Sequence, residues 1–274
     1  KANLQLEFTR PSDQQRPCIL SKKRFSGPLT VQKPFYPEGD VCHVYVLHPP
    51  GGVVGGDQLR IDLKLKREAH ALLTTPAATK FYRSENHYAV AEQHFEIADK
   101  ACLEWLPQEN ILFDAAQVHS RSSVHLHSNA TLIAWDITCL GRPACGEKFE
   151  QGFMRQRFEI FIDEQRRLTD HMIIKGSDEA LDADWGLRGF PVIGYMLLYA
   201  GTDGDMEQLV ALLRPLEVIH AEENLSVCLI NNIIVCRYLG YHGERARNKL
   251  TQIWEIVRPH MLNKPLHTPR IWLT

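Results

Sequence analysis

A run of prolines and glycines in the first quarter of the chain constrains the fold more than any other feature. It reads Pro49-Pro50-Gly51-Gly52-Val53-Val54-Gly55-Gly56 and ends on Asp57. Proline removes a backbone hydrogen-bond donor, and glycine is used where φ must be positive or where another backbone must come close. The run therefore excludes a regular helix or an inner strand and predicts a turn.

Phosphate binding is a familiar function of glycine-rich loops, but this one lacks the required neighbours. A P-loop has a lysine and a serine or threonine after its last glycine, and a dinucleotide-binding loop continues into a helix. Here the carboxylate of Asp57 follows, which repels phosphate, and residues 59–66 alternate between apolar and polar. That period of two is typical of a half-buried strand. A tight turn between strands is therefore the better interpretation of the run.

Strand-like segments recur through most of the chain, with turn residues between them. Such patterns cover residues 71–75, 88–97, 101–106, 118–126, 131–137, 153–162 and 168–174. We expect hairpins at 118–126 with 131–137, at 153–162 with 168–174, and at 226–230 with 233–238, where Asn231-Asn232 is a typical turn. Short strands at this spacing predict an all-β sandwich, barrel or β-helix.

Two stretches near the C-terminus have helical patterns instead. Asp205 is a suitable N-cap for a helix over 206–213, which Pro215 ends. Residues 244–258 place apolar side chains at helical spacing along one face. Because no repeat or low-complexity linker interrupts the chain, we expect residues 1–274 to form a single domain.

Composition argues against several functional classes. The formal net charge of −2 over 274 residues offers no electrostatic basis for binding nucleic acid or an anionic membrane. The first residues lack the apolar region of a secretory signal, and there is no run of about eighteen apolar residues. The seven cysteines have no C-x-x-C spacing, which argues against a zinc knuckle or a thioredoxin-type motif. We therefore expect a cytoplasmic protein.

A few histidines and carboxylates are the candidates for chemistry. His125 and His127 lie two positions apart on one strand and share a face, where such a pair can bind a transition metal. A solvated strand face is the alternative interpretation. Glu109 and Asp136 lie in or just beyond strands, where carboxylates act as general acids or bases, or fix loops by accepting backbone hydrogen bonds. Without a G-x-S-x-G or H-E-x-x-H motif, the residues alone indicate a β-rich protein with no demonstrable active site.

Several blocks, in order over nearly the whole chain, carry a family resemblance. They are 48–57 (HPPGGVVGGD), 73–83 (LTTPAATKFYR), 105–109 (WLPQE), 140–147 (LGRPACGE), 237–240 (RYLG), 258–259 (RP) and 269–272 (PRIW). These blocks resemble the UreD family of urease accessory proteins, called UreH in some organisms. The resemblance implies a β-helix-like stack of β-sheets with two helices near the C-terminus.

The resemblance also implies a function that is not enzymatic. Members of the family bind apo-urease on one side and the accessory protein UreF on the other, and UreF in turn carries the GTPase UreG. Nickel passes through an internal polar tunnel to the urease active site, so no tightly bound cofactor is expected. A conduit must hold a divalent ion weakly, because a closed histidine and cysteine site would trap it.

Residues in or near the matching blocks are candidates for these roles. The candidate conduit residues are Thr74, Thr75, Glu109, Asp136 and Glu147. The candidates for structural or partner contacts are Gly51, Gly52, Gly55, Gly56, Asp57, Lys80, Tyr82, Arg83 and Arg142. The alternatives are that Asp136 and Glu147 fix turns and pair with Arg142, and that the protein stores nickel itself through His125 and His127.

Overall fold

The computed structural model describes residues 1–13 and 16–273, and within them most regular structure is β-strand. The strands, in chain order, are β1 (Ala2–Thr9), β2 (Ile19–Ser26), β3 (Thr30–Val31), β4 (Cys42–Leu47), β5 (Gln58–Leu65), β6 (His70–Thr74), β7 (Thr79–Phe81), β8 (Ala89–Ile97), β9 (Cys102–Trp105), β10 (Asn110–Leu112), β11 (Gln117–Leu126), β12 (Thr131–Leu140), β13 (Phe153–Ile162), β14 (Gln165–Lys175), β15 (Val192–Ala200), β16 (Val218–Ile219), β17 (Glu223–Ile230) and β18 (Ile233–Gly240). Two α-helices, α1 (Met206–Leu213) and α2 (Gly243–Leu262), lie near the C-terminus.

The strands form two sheets, and the middle of the chain alternates between them. The first sheet has the order β14-β13-β11-β8-β5-β1-β2, and the second has β16-β17-β18-β15-β12-β9-β6-β4-β3, with β10 paired to β12 and β7 paired to β10. Neighbours from β1 through β5, β8 and β11 to β13 are parallel, as are those from β4 through β6 and β9 to β12. This stacked, β-helix-like architecture with two C-terminal helices confirms the expected fold class.

Two of the three predicted hairpins are correct. β13 pairs with β14 and β17 pairs with β18, both antiparallel. The prediction for 118–126 with 131–137 is wrong, because β11 belongs to the first sheet and β12 to the second. The short link between them carries the chain from one sheet to the other, as the glycine-rich run does between β4 and β5.

The second sheet is the middle layer of the molecule, since both of its faces are covered. Leu132 and Ala134 of β12 face the first sheet within one core cluster. Ile133 and Trp135, which alternate with them, pack in a second cluster under α1 and α2. Strands covered on both faces read as nearly continuous apolar runs. Asp136 interrupts the apolar run of β12 at a position that faces the first sheet.

Helix α1 matches its predicted bounds, and Asp205 Oδ1 accepts a hydrogen bond from Gln208 N at 2.9 Å as its N-cap. Helix α2 extends past the predicted end at Arg258. It continues through Pro259 to a left-handed cap at Asn263, whose φ is 51°. Neither helix in the described part of the chain is long and apolar enough to cross a bilayer.

Candidate functional site

The glycine-rich run folds against the segment after β6, and this contact builds one wall of a cavity. A Cβ atom on Gly52 would lie 2.5 Å from Tyr82 Cε2 and 2.7 Å from the carbonyl oxygen of Lys80. The Tyr82 hydroxyl donates to the carbonyl of Gly51 at 3.0 Å. The close approach of backbones that the glycines predict is therefore present within this protein.

The C-terminal end of the run also folds back onto its own backbone. Asp57 Oδ2 accepts a hydrogen bond from Val54 N at 3.2 Å, and Gly56 has a φ of +89°, which favours glycine. Asp57 therefore acts as a turn residue, with its carboxylate directed back to the loop backbone.

We call the space behind this loop the mouth cavity, which has a volume of about 330 Å³. Its walls come from the loop over 48–52, the turn over 75–81 and side chains between the two sheets. The interior polar side chains that reach it include Gln93, Asn110 and Asp136, beside Trp105 and Pro107. The cavity is therefore a polar space that extends from the loop into the core.

Asp136 is the buried carboxylate of this cavity, with 8% of its surface exposed. It accepts hydrogen bonds from Asn110 Nδ2 at 2.9 Å, Thr138 Oγ1 at 3.1 Å and Gln156 Nε2 at 3.0 Å. Burial raises the pKa of Asp136, and hydrogen bonds from these three donors only partly offset that effect. Gln156 belongs to β13, so its bond to Asp136 links the two sheets through the interior.

A narrow space that we call the neck adjoins the mouth cavity at Gln93, Trp105 and Asp136, and its volume is only about 20 Å³. Beyond it, Phe158 and Tyr195 also line a larger space of about 450 Å³, the distal cavity. The distal cavity lies between β13 and β14 of the first sheet and β15 to β18 of the second. The neck therefore shares wall residues with the mouth cavity on one side and with the distal cavity on the other.

The distal cavity is mainly apolar but carries an ion pair. Arg237 Nη2 lies 2.6 Å from Asp170 Oδ2, and the guanidinium also lies over the ring of Tyr195 at 5.7 Å. The Tyr195 hydroxyl is buried close to the Asp170 carboxylate. Burial, followed by the charge of Asp170, raises the pKa of Tyr195. Polar groups therefore continue from Asp136 into the distal cavity.

Sequence reasoning missed the polar residues that the first sheet contributes. Gln93 of β8 pairs in register with Ser122 of β11, and Ser122 with Phe158 of β13. Ser122 Oγ donates to Gln93 Oε1 at 3.1 Å. The missed signal was a polar residue at the inward positions of strands whose other inward residues are apolar, such as Phe95 and Ile97 in β8.

The five candidate conduit residues do not converge on one site. Thr75 and Asp136 line the mouth cavity. Thr74 lies on the helix side of the second sheet, where it donates to the carbonyl of Leu106 and accepts from Trp272 Nε1.

Glu109 is also on the helix side, 3.0 Å from Arg247 of α2. Glu147 forms an ion pair with Arg142 at the surface and accepts a hydrogen bond from Asp114 N at 3.1 Å. The hydrogen bond from Arg142 lowers the pKa of Glu147. The alternative pairing with Arg142 is thus present for Glu147, whereas Asp136 instead bonds Asn110, Thr138 and Gln156.

The predicted contact residues surround the mouth cavity on the outside. Lys80 and Arg83 are exposed, and the ring of Tyr82 packs edge-on against Phe113 at 4.9 Å. Arg142 lies over the same Phe113 ring, with its guanidinium carbon 4.7 Å from the ring centre. Exposed cations and aromatic rings therefore lie side by side at this end of the molecule.

The two candidate metal-binding histidines have different neighbours. His125 stacks on Phe161 at 4.6 Å, and His127 Nδ1 lies 3.4 Å from Asp99 Oδ1. Across the described residues, no group of three or more histidine, cysteine, aspartate or glutamate side chains has an arrangement that could hold a metal ion. The structure gives the storage interpretation no closed site.

Replacement of Gly55 by valine is expected to lower stability by about 1–3 kcal/mol or to prevent soluble expression. A Cβ atom there would lie 2.0 Å from Ser84 Oγ and 2.7 Å from the carbonyl oxygen of His87, which is backbone and cannot rotate away. Thermal unfolding measures the effect. Gly51→Ala is the matched control, because the nearest atom to its added Cβ would be 3.7 Å away. A soluble Gly55→Val protein with the unfolding temperature of the Gly51→Ala protein would contradict this account of the loop.

Comparison with known proteins places this arrangement in a family. The family model described as UreD urease accessory protein matches residues 1–273. Urease accessory protein UreD of Aliivibrio fischeri is 41% identical over 256 residues, which cover 90% of this chain and 88% of that protein. The protein of the same name from Enterobacter sp. is 38% identical over 278 residues, with 100% and 95% covered. That from Escherichia coli is 41% identical over 258 residues, with 93% and 91% covered. The chain belongs to the UreD family of urease accessory proteins.

Proposed function

We propose that this protein delivers nickel to apo-urease through the line of cavities between its two sheets. In this role it is a non-enzymatic scaffold, which binds apo-urease and UreF and is linked to the GTPase UreG through UreF. The observation that carries the proposal is the buried carboxylate of Asp136, which lines both the mouth cavity and the neck. A buried carboxylate costs free energy unless it is paired, and Asp136 has no cationic partner among its hydrogen-bond donors.

The donor set around the passage suits an ion in transit. Carboxylate, amide and hydroxyl oxygens bind divalent cations without the strong preference that thiolates and imidazoles have for late transition metals. A water molecule needs roughly 10–15 Å³ of such space. The mouth cavity of about 330 Å³ therefore has room for an ion together with a full shell of water.

The exposed side chains around the mouth cavity support partner binding at that end. Lys80 and Arg83 are exposed beside the glycine-rich loop, and Val54 at its tip is 49% exposed. Arginine and aromatic residues are enriched at protein interfaces. This surface suits docking of a protein that either supplies the ion or receives it.

Co-expression with the urease structural subunits tests the proposal. Pull-down of this chain is expected to recover apo-urease, and omission of the chain is expected to leave urease with little nickel and little activity. Metal analysis of the isolated chain separates the two candidate roles. Stoichiometric nickel retained by the chain alone, without binding to urease, would support storage instead, and a His125→Ala/His127→Ala double variant would then lose that nickel.

A further inference from the structure

The neck is too small for the fully hydrated ion that the neighbouring cavities could hold. Its volume of about 20 Å³ leaves room for about one water molecule. The mouth and distal cavities on either side are more than tenfold larger, at about 330 and 450 Å³. An ion with its complete water shell therefore cannot pass the neck as the structure presents it.

The neck has oxygen-bearing side chains from both sheets. The first sheet supplies Gln93 and Ser122, which are hydrogen-bonded to each other, and the second supplies Asp136 and Tyr195. The remaining lining is mainly apolar and includes Trp105, Trp135, Phe95, Phe158, Val124 and Leu197. These oxygens are therefore set among apolar side chains.

We infer that Gln93 and Ser122 act with Asp136 as the selectivity point of the passage, where a divalent cation exchanges part of its water shell for side-chain oxygens. This inference rests on the proposed function and adds the residues that control which cations pass. Loss of water is costly unless other ligands replace it, so an ion that finds no oxygen ligand at the neck is held back.

Apolar residues at the positions of Gln93 and Ser122 would pack in the first sheet at least as well as these polar residues do. Ser122 is 5% exposed, and its hydroxyl depends on the bond to Gln93, because a buried hydroxyl without a partner costs free energy. Gln156 has a different part, because it donates to Asp136 from the opposite sheet and holds the carboxylate at the neck. Gln156 is therefore a positioning residue rather than a ligand in this scheme.

The test measures the rate at which nickel enters apo-urease in complexes that contain Gln93→Leu or Ser122→Ala. Each variant is expected to slow nickel uptake about tenfold, the order that corresponds to one lost polar contact in the rate-limiting step. Ser123→Ala is the matched control, since Ser123 is the next residue of β11 and bonds His125 on the other face of the sheet. Unchanged unfolding temperature and unchanged recovery of urease in pull-down show that each complex is intact.

A second substitution at the same position separates a ligand from a structural residue. Gln93→Ala removes the oxygen but widens the neck, so an ion can keep more of its water. We expect it to transfer nickel faster than Gln93→Leu and to admit magnesium more readily than the unmodified chain, measured by metal analysis of the urease. If Gln93→Leu and Ser122→Ala both match Ser123→Ala in nickel uptake, the inference is wrong.

The failure of this inference can be distinguished from failure of the proposed function. Ala91 lies on the wall of the mouth cavity and does not line the neck, so Ala91→Trp adds bulk to the mouth cavity alone. If Ala91→Trp blocks uptake while the neck variants do not, the passage exists and the selectivity point is overturned. If Ala91→Trp also leaves uptake unchanged, the proposed function falls together with the inference.

Discussion

Replacement of Arg258 by alanine is expected to lower the free energy of unfolding by about 3–5 kcal/mol, because it leaves two buried carboxylates without their guanidinium partner. Arg258 has no exposed surface. Its Nε donates to Glu104 Oε2 at 2.9 Å, and its Nη2 lies 2.7 Å from Glu38 Oε2. Trp254 Nε1 also donates to Glu104, at 2.7 Å. The network therefore fastens α2 to β9 and to the loop before β4.

The same network predicts how stability depends on pH. Burial of Glu104 opposes its ionisation, but the hydrogen bond and charge of His70, followed by those of Arg258, outweigh burial and lower the pKa of Glu104 to about 2. A carboxylate with a lowered pKa adds stability above its ordinary pKa and loses it as pH falls toward the folded-state value. Stability of the unmodified chain should therefore fall between about pH 4.5 and pH 2, and the Arg258→Ala chain should lose less over that interval.

Urea unfolding at several pH values measures both effects. Arg245→Ala is the control, because Arg245 lies on the same helix, is half exposed and is 3.9 Å from Glu222. An exposed pair of this kind contributes less than about 1 kcal/mol. If the Arg258→Ala chain is too unstable to purify, Glu38→Gln supplies a milder variant. Its stability is also expected to be lower than that of the unmodified chain. Equal stability of the Arg258→Ala and Arg245→Ala chains would refute the role of the network.

Substitution of Asp136 by asparagine is expected to separate stability from function. We expect nickel transfer to urease to fall at least about tenfold, because the variant removes the one carboxylate at the neck. Stability at neutral pH is expected to stay the same or to rise. A group whose pKa is raised on folding stabilises the fold below its ordinary pKa and loses that contribution as pH rises through the folded-state value. The charged form of Asp136 is therefore disfavoured in the fold, and an amide removes that charge.

The comparison needs a second carboxylate that does not line a cavity between the sheets. Asp62 of β5 serves as this control, because it pairs with Arg60 on the outer face of the first sheet. Asp62→Asn should leave nickel transfer unchanged. Metal analysis of purified urease and thermal unfolding of each chain measure the two properties separately. An Asp136→Asn chain that is less stable yet transfers nickel at the normal rate would show that Asp136 is a structural residue.

Local patterns predicted the strands well but not the way in which they pair. The alternation in 118–126 and 131–137 correctly indicated two strands, and the short link with Asn129 suggested a hairpin. In the structure, β11 pairs instead with β8 and β13 in parallel, while β12 pairs with β9 and β15. Pairing partners far apart along the chain cannot be read from a pattern of period two. The family resemblance supplied the stacked arrangement that periodicity had left open.

The sequence predicted the part of the candidate site that the second sheet contributes, but not the part that the first sheet contributes. Thr75 lies in a block that resembles the family and Asp136 was a candidate as a strand carboxylate, and both line the mouth cavity. Gln93, Ser122 and Gln156 lie outside those blocks, and their inward direction depends on the register between strands of the first sheet. Glu109 was predicted to line the conduit but lies on the helix side of the second sheet. Its pairing with Arg247 could not be predicted, because it depends on how α2 packs against that sheet.

The most direct measurement is the nickel content of urease matured with Ala91→Trp. Ala91 lines the mouth cavity, and Val90→Trp places the same bulk at the adjacent position of β8, whose side chain points to the opposite face. If nickel travels between the sheets, urease matured with Ala91→Trp will co-purify with the chain but contain little nickel, and urease matured with Val90→Trp will contain the normal amount. Full nickel content in urease matured with a stable Ala91→Trp chain would contradict the account.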